Sequence, residues 1–290
     1  MTVVLIVRHG LTSSTGKALT GWLPGISLDD RGRGQAAAIA ARLAQVPLAA
    51  IVSSPLERCV QTASIIAAGH GGSAATNDGA ATKDGAATND GAATKDGAAA
   101  NGDTDADAAS GSGPGSTVSA NGQAASQSDP MTVQLDERFG ECRYGDWTGR
   151  PLRKLAREPL WRVVQAHPSA VRFPGADGET MTGMQQRAVA AVRDWNARLG
   201  PEAAYVVCSH GDVIKAILAD ALGMHLDMSQ RIQVDPCSLS VVRYTPLRPF
   251  VLAMNDTGAD AAALAGYVRR PGPPRRPRLG LAAGRATASS

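Results

Sequence analysis

Val3-Val4-Leu5-Ile6-Val7-Arg8-His9-Gly10 is the stretch from which the rest of the chain can be read. A run of five apolar, mostly β-branched residues predicts a strand buried on both faces, as in a parallel sheet. It stops at Arg8-His9-Gly10, so a buried strand delivers a cation, an imidazole and a flexible glycine to its carboxyl end. Ligands of open α/β sheets sit outside that end. His9 is therefore a candidate nucleophile and Arg8 a candidate anion clamp. For so short a motif the plain alternative is an ordinary strand-end turn.

The same design recurs downstream. Ala203-Ala204-Tyr205-Val206-Val207-Cys208 reads as a second buried strand, ending in Ser209-His210-Gly211-Asp212, which predicts two imidazoles converging at one sheet edge. Between them, Asp29 or Asp30 caps a helix whose Ala36, Ile39, Ala40, Leu43 and Val46 recur at helical spacing. Leu48 to Ser54 is the next strand, and Pro55 suits the first turn of a helix over Leu56–Ile66. Arg58 then lies in the first turn after a strand, where a guanidinium can point back over the edge that carries His9. Leu239–Tyr244 and Phe250–Met254 read as closing strands. Strands alternating with helices predict a three-layer α/β/α, doubly wound, mostly parallel sheet.

Two further stretches supply chemistry. Leu11 to Gly16 is a hydroxyl-rich loop in which Thr12 and Thr15 could donate to a phosphate, followed by Thr20-Gly21-Trp22-Leu23-Pro24; a plain surface turn is the alternative. Asp136 to Gly149 packs acids, glycines and aromatics into one loop, and aromatic shielding raises a carboxyl pKa toward the working range of an acid. Glu141 is the favoured acid, with Tyr144 beside it; the alternative is that these carboxylates merely pair with Arg138 and Arg143. Pro151 to Arg172 reads as a helix, either a lid or a plain peripheral helix, with Leu152, Leu155, Leu160, Trp161 and Val164 on its apolar face.

Composition limits the remainder. Of the 290 residues, 71–130 form a low-complexity insertion with a tandem hexad visible from Thr76-Asn77-Asp78-Gly79-Ala80-Ala81 onward, too poor in large apolar groups to offset its ordering entropy. A tail over 256–290 becomes purely basic beyond Val268, with Arg269, Arg270, Arg275, Arg276, Arg278 and Arg285 among prolines, and reads as an extended solvated coil. The insertion carries eight Asp against Lys83 and Lys95, so the net +3 says little about partners. Nucleic acid is the weaker reading of the tail, and its deletion tests it. One catalytic domain over 1–255, interrupted by the insertion, is expected. Cys59, Cys142, Cys208 and Cys237 lack metal or disulfide spacing. With no signal-like or membrane-spanning run, a cytoplasmic protein with reduced thiols is expected. No metal or cofactor is indicated, and oligomeric state is not legible.

Arg8-His9-Gly10, then Ser53-Ser54-Pro55-Leu56-Glu57-Arg58-Cys59-Val60-Gln61-Thr62-Ala63, then Glu141 before Tyr144-Gly145-Asp146-Trp147-Thr148-Gly149, then Ser209-His210-Gly211 resemble in order and spacing the histidine phosphatase superfamily, also called phosphoglycerate mutase-like. The closest likeness is to a bacterial phosphomutase branch. The resemblance implies that His9 accepts the phosphoryl group, that Arg8, Arg58 and His210 bind it, and that Glu141 donates the proton. Thr12, Thr15, Thr20, Gly21, Tyr144 and Gly211 are candidate substrate contacts, with Thr15 standing where many relatives carry Asn. A small phosphorylated substrate is expected. The paired arginines of glycolytic mutases are missing, and Phe173 to Thr180 resembles the phosphatase turn, so hydrolysis is favoured over bisphosphate-primed mutase activity. A non-catalytic phospho-ligand module is the alternative from another class.

Overall fold

The computed structural model describes residues 1–71 and 131–258; the low-complexity insertion beyond Gly71 and the basic tail lie outside the described residues. In chain order the elements are β1 (Thr2–Arg8), α1 (Asp30–Leu43), β2 (Ala50–Ser53), α2 (Glu57–Gly71), β3 (Val133–Leu135), α3 (Leu152–Leu155), α4 (Pro159–Ala166), α5 (Met181–Leu199), β4 (Ala204–Ser209), α6 (Gly211–Ala221), β5 (Leu239–Tyr244) and β6 (Pro249–Asp256). The strands form one sheet in the order β3-β2-β4-β1-β5-β6. β1, β2, β3 and β4 run parallel, while at one side β5 joins antiparallel to β1 and β6 antiparallel to β5.

The unbroken apolar run of β1 is explained by its two coats. Alternate residues point to opposite faces, so Leu5 and Val7 pack with Ile39, Leu43 and Ile66 of α1 and α2. Val4 and Ile6 pack on the other face, in one core with Met184, Val192 and Trp195 of α5 and Val213 and Ile217 of α6. A strand covered on both sides has no polar face to alternate, which is why its sequence reads as continuous. Asp29 is the residue that caps α1, its side chain accepting from the Gly32 amide at 2.8 Å.

The expected single helix over Pro151–Arg172 is corrected by the structure to two short helices, α3 and α4, and a 3₁₀ turn at Pro168–Ala170. Proline is the cause. A residue preceding proline is forced out of the helical region, and Glu158 before Pro159 is extended, at φ −72° and ψ 140°. The apolar face is placed as anticipated: Leu155 and Val164 are buried in the core, with Leu152, Leu160 and Trp161 packed against it. No helix among the described residues is long and apolar enough to cross a membrane, and the four cysteines are buried and unbridged.

Strand register aligns the functional ends. Arg8 lies opposite Ser209, Ser53 opposite Cys208 and opposite Leu135. The residues that follow these positions, His9, Ser54, Asp136 and His210, therefore emerge at one edge of the sheet.

Candidate active site

His9 is held at that edge by its backbone and by its ring. Its amide donates to the Ser209 carbonyl at 3.0 Å, and its Nδ1 lies 2.8 Å from the Gly10 carbonyl. A carbonyl only accepts, so Nδ1 carries the proton and Nε2 presents a lone pair. Burial, followed by the charges of Arg58 and Arg8, keeps the imidazole pKa well below its usual value, against a smaller raising effect of the Gly10 bond. At neutral pH the ring is uncharged and nucleophilic at Nε2. The loop leaves little slack: a Cβ on Gly10 would meet the Gly32 carbonyl oxygen at 2.6 Å, and one on Gly32 would meet the Leu11 carbonyl oxygen at 2.1 Å. The turn after His9 and the first turn of α1 thus touch backbone to backbone.

Arg58, in the first turn of α2 and only 2% exposed, reaches across this edge. Its Nε donates toward His9 Nε2 at 3.3 Å and its Nη2 to the Gly21 carbonyl at 3.0 Å. Nη1 is buried without a hydrogen-bond partner, and so is Nε of Arg8, whose Nη1 donates to the Val234 carbonyl at 2.6 Å. Two guanidiniums that line one cavity with His9 therefore each bury a donor that no protein group takes up.

His210 lies with its ring centroid 5.2 Å from that of His9. Its Nε2 is 2.8 Å from Ser54 Oγ and its Nδ1 is 3.2 Å from Arg58 Nη2. Burial first, then Arg58, pushes its pKa well down, so it too is a neutral ring. A guanidinium only donates, so His210 Nδ1 accepts from Arg58 and Nε2 carries the proton that it donates to Ser54 Oγ.

Glu141 enters from the loop after β3. Its side chain is 12% exposed, with Oε2 3.9 Å from His210 Nδ1, and Oε1 accepts from the Cys142 amide at 3.0 Å. Burial, then the nearby Asp212 carboxylate, pushes its pKa up to about 7, with Arg58, the Cys142 amide and Arg8 opposing. Sequence reasoning expected aromatic shielding to do this. Burial is the leading cause: Tyr144 lines the same cavity as Glu141 and Trp22 Nε1 donates to the Glu141 carbonyl at 2.6 Å, while Trp147 stacks on Trp161 at 6.2 Å. Of the loop's carboxylates, Asp136 does pair with Arg138, which also reaches Asp194; Glu141 pairs with neither arginine, and Arg143 lies over the Trp22 ring.

The loop is fixed by a residue that the sequence did not single out. Arg187 of α5 donates to both carboxylate oxygens of Glu179 and to the carbonyls of Arg138, Gly140 and Glu141, all between 2.7 and 3.0 Å. All five guanidinium donors are used. Ser54, Asp212 and Gly32 were likewise not singled out.

Arg8, His9, Thr12, Thr15, Thr20, Gly21, Arg58, Glu141, Tyr144 and Gly211 all line one cavity of about 300 Å³; His210 is fully buried beneath it. Within it Thr12 and Thr15 bond to each other at 3.0 Å, the Gly21 carbonyl is occupied by Arg58, and the Tyr144 hydroxyl donates to Asp212 Oδ2 at 2.9 Å. No group of three or more His, Cys, Asp or Glu among the described residues has the arrangement of a metal site. Chemically, the cavity offers a neutral nucleophile, unpartnered cationic donors and a carboxyl group able to give and take a proton near neutrality.

Comparison with known proteins places this arrangement. Residues 4–81 and 117–257 match the profile of the histidine phosphatase superfamily (branch 1). "Uncharacterized protein Rv0525" of Mycobacterium tuberculosis is 45% identical over 69 residues, 24% of this chain and 34% of that protein. "Probable phosphoglycerate mutase GpmB" of Yersinia pestis is 30% identical over 116 residues, 39% and 53% respectively. The chain thus spans about a third to about half the length of these curated relatives. In fold it is similar to the mycobacterial glucosyl-3-phosphoglycerate phosphatase Rv2419c, with a TM-score of 0.60 at 19% identity over 88% of this chain and 98% of that one. The chain belongs to the histidine phosphatase superfamily (branch 1).

Proposed function

We propose that the protein is a metal-independent phosphomonoester hydrolase working through a phosphohistidine on His9. The observation that carries this reading is the pair of buried guanidinium donors, Arg8 Nε and Arg58 Nη1, left without partners on two residues that line one cavity with His9. An unsatisfied buried donor costs about 1–3 kcal/mol, and an anion with several acceptor oxygens relieves both at once. In the first step His9 Nε2 attacks phosphorus, the bond from phosphorus to the ester oxygen breaks, and protonated Glu141 gives its proton to the departing alkoxide. Arg8, Arg58 and His210 stabilise the charge spread over the equatorial oxygens. In the second step Glu141, now a carboxylate, takes a proton from water as the water oxygen attacks phosphorus. The bond to Nε2 breaks, releasing phosphate and restoring both groups.

Mutase activity is the second reading, favoured by the likeness to GpmB. A paired assay without added metal separates the two: phosphate release from small phosphomonoesters, beside conversion of 3-phosphoglycerate to 2-phosphoglycerate primed by 2,3-bisphosphoglycerate. Release without isomerisation is expected; primed isomerisation with little release would establish the mutase. His9→Ala should abolish both turnover and acid-labile phosphoenzyme while the protein stays folded, and an active variant would overturn the scheme. Glu141→Gln should slow turnover about 10²- to 10⁴-fold while phosphate still binds.

A further inference from the structure

The loop after β1 meets the loop that carries Glu141, and the reaction scheme leaves the residue at their junction without a role. Trp22 is half-buried and holds the acid loop in two ways. Its Nε1 donates to the Glu141 carbonyl at 2.6 Å. Its ring also lies so close to Gly140, the residue before the acid, that a Cβ there would collide with ring atoms Cζ2 and Cη2. The Arg143 guanidinium covers the same ring, 4.0 Å from its centroid. One peptide unit away, the Gly21 carbonyl accepts from Arg58 Nη2 at 3.0 Å. Gly21 and Trp22 therefore tie the guanidinium assigned to the phosphoryl group to the loop that bears the acid. The Glu141 carbonyl has a second donor, Arg187 Nη2, at 3.0 Å. A carbonyl has two lone pairs, so removing the indole N–H leaves no orphaned acceptor. What is lost is aim, because a loop held from two elements is then held from one.

We infer that Trp22 is a positioning residue for Glu141: it aims the carboxyl at the leaving oxygen in the first step and at water in the second. The inference rests on the phosphohydrolase reading, which makes Glu141 the proton donor. Trp22 stands outside the cavity that His9, Arg58 and Glu141 line, so it acts through the groups it holds. A general acid works only within hydrogen-bond reach of the atom it protonates, and a misplacement of about 1 Å can cost about 10²-fold. That cost depends on the leaving group. An alkoxide needs the proton as it departs, whereas a stabilised phenolate departs without one.

Trp22→Phe, which removes the indole donor and keeps an aromatic ring, tests this in the full-length enzyme. Two esters of similar size are compared: benzyl phosphate, whose alkoxide must be protonated, and p-nitrophenyl phosphate, whose phenolate need not be. kcat/KM covers the steps up to phosphoryl transfer to His9. Trp22→Phe should lower it about 10- to 10²-fold for benzyl phosphate and about threefold or less for p-nitrophenyl phosphate. With the aryl ester, phosphoenzyme should accumulate because water is activated more slowly. Glu141→Gln should show the same split between the esters. In that background Trp22→Phe should cost benzyl phosphate no more than about twofold further, since a residue that works through the acid has nothing left to aim. Equal losses on both esters, no loss on either, or losses that multiply in the double variant would overturn the inference alone. If Trp22→Phe does not fold, replacement of Trp22 by 3-benzothienylalanine, which keeps the bicyclic shape with sulfur in place of N–H, is read by the same criteria. No phosphate release by the wild type from either ester, with no phosphoenzyme at His9, would instead overturn the hydrolase reading and this inference with it.

Discussion

Arg187 and Arg58 both act on Glu141, and they are employed in opposite ways. Arg187 bonds the Glu141 carbonyl and has every donor engaged by the protein, on Glu179 and on three loop carbonyls. Arg58 is more deeply buried, at 2% exposure, yet keeps Nη1 without a partner and lays its charge against both imidazoles and the acid. A guanidinium with all donors satisfied is scaffold; one with a donor withheld in a buried place is stressed until an anion arrives. The difference is not by itself a mark of the site, since Arg243 over the Phe250 ring also buries an unpartnered Nε; under the proposed mechanism it separates Arg187, which holds the loop, from Arg58, which meets the phosphoryl group.

The contrast predicts different failures. Arg58→Ala should cost about 10²- to 10³-fold in kcat, the usual loss for a donor aimed at transition-state charge, while the melting temperature holds or rises because a buried charge with an unmet donor has gone. If Arg58→Ala instead unfolds the protein and leaves the residual folded fraction fully active, the distinction collapses. Arg187→Gln should destabilise the fold by about 3 kcal/mol, since it strips a carboxylate and three carbonyls of their donors. Denaturant titration checks this, with kcat falling through displacement of Glu141.

The finest test is one of pH. Glu141 must be protonated to donate, so kcat/KM should fall as pH rises past about 7, while the lower limb, from His9, lies well below 6.5. Asp212 raises the Glu141 pKa. Asp212→Asn should therefore move the upper limb to lower pH, on the order of one unit, with kcat retained below it. A limb that stays in place would remove Asp212 from the tuning of the acid. The groups facing Glu141 are Asp212 from α6, Arg58 from α2, Arg8 from β1 and His210 after β4; of the four, Asp212 is the one carboxylate.

What could be read from sequence follows from how each residue acts. Arg8, His9 and His210 were legible because a buried strand advertises its end, and register then brings two such ends together. Arg58 was legible from the strand, proline and helix around it. Arg187 was not, because its partners are carbonyls of residues 46 to 49 positions away, and any residue type offers a carbonyl. Asp212 stood in plain view after His210, but its effect needs the fold to set it beside a loop 68 residues earlier, at Tyr144. The break at Glu158 had a visible signal in Pro159, outweighed by apolar spacing that continues across the break on the same side of the core.

The backbone contact between the Gly10 turn and Gly32 also determines when ordering entropy is lost. A histidine on a loose loop would have to be immobilised in each catalytic cycle, lowering its effective molarity toward the bound ester. Here the ring is already fixed by the Gly10 carbonyl and its turn by a helix with no room between them. That entropy is lost once, when the chain folds, and the substrate is left as the partner that moves.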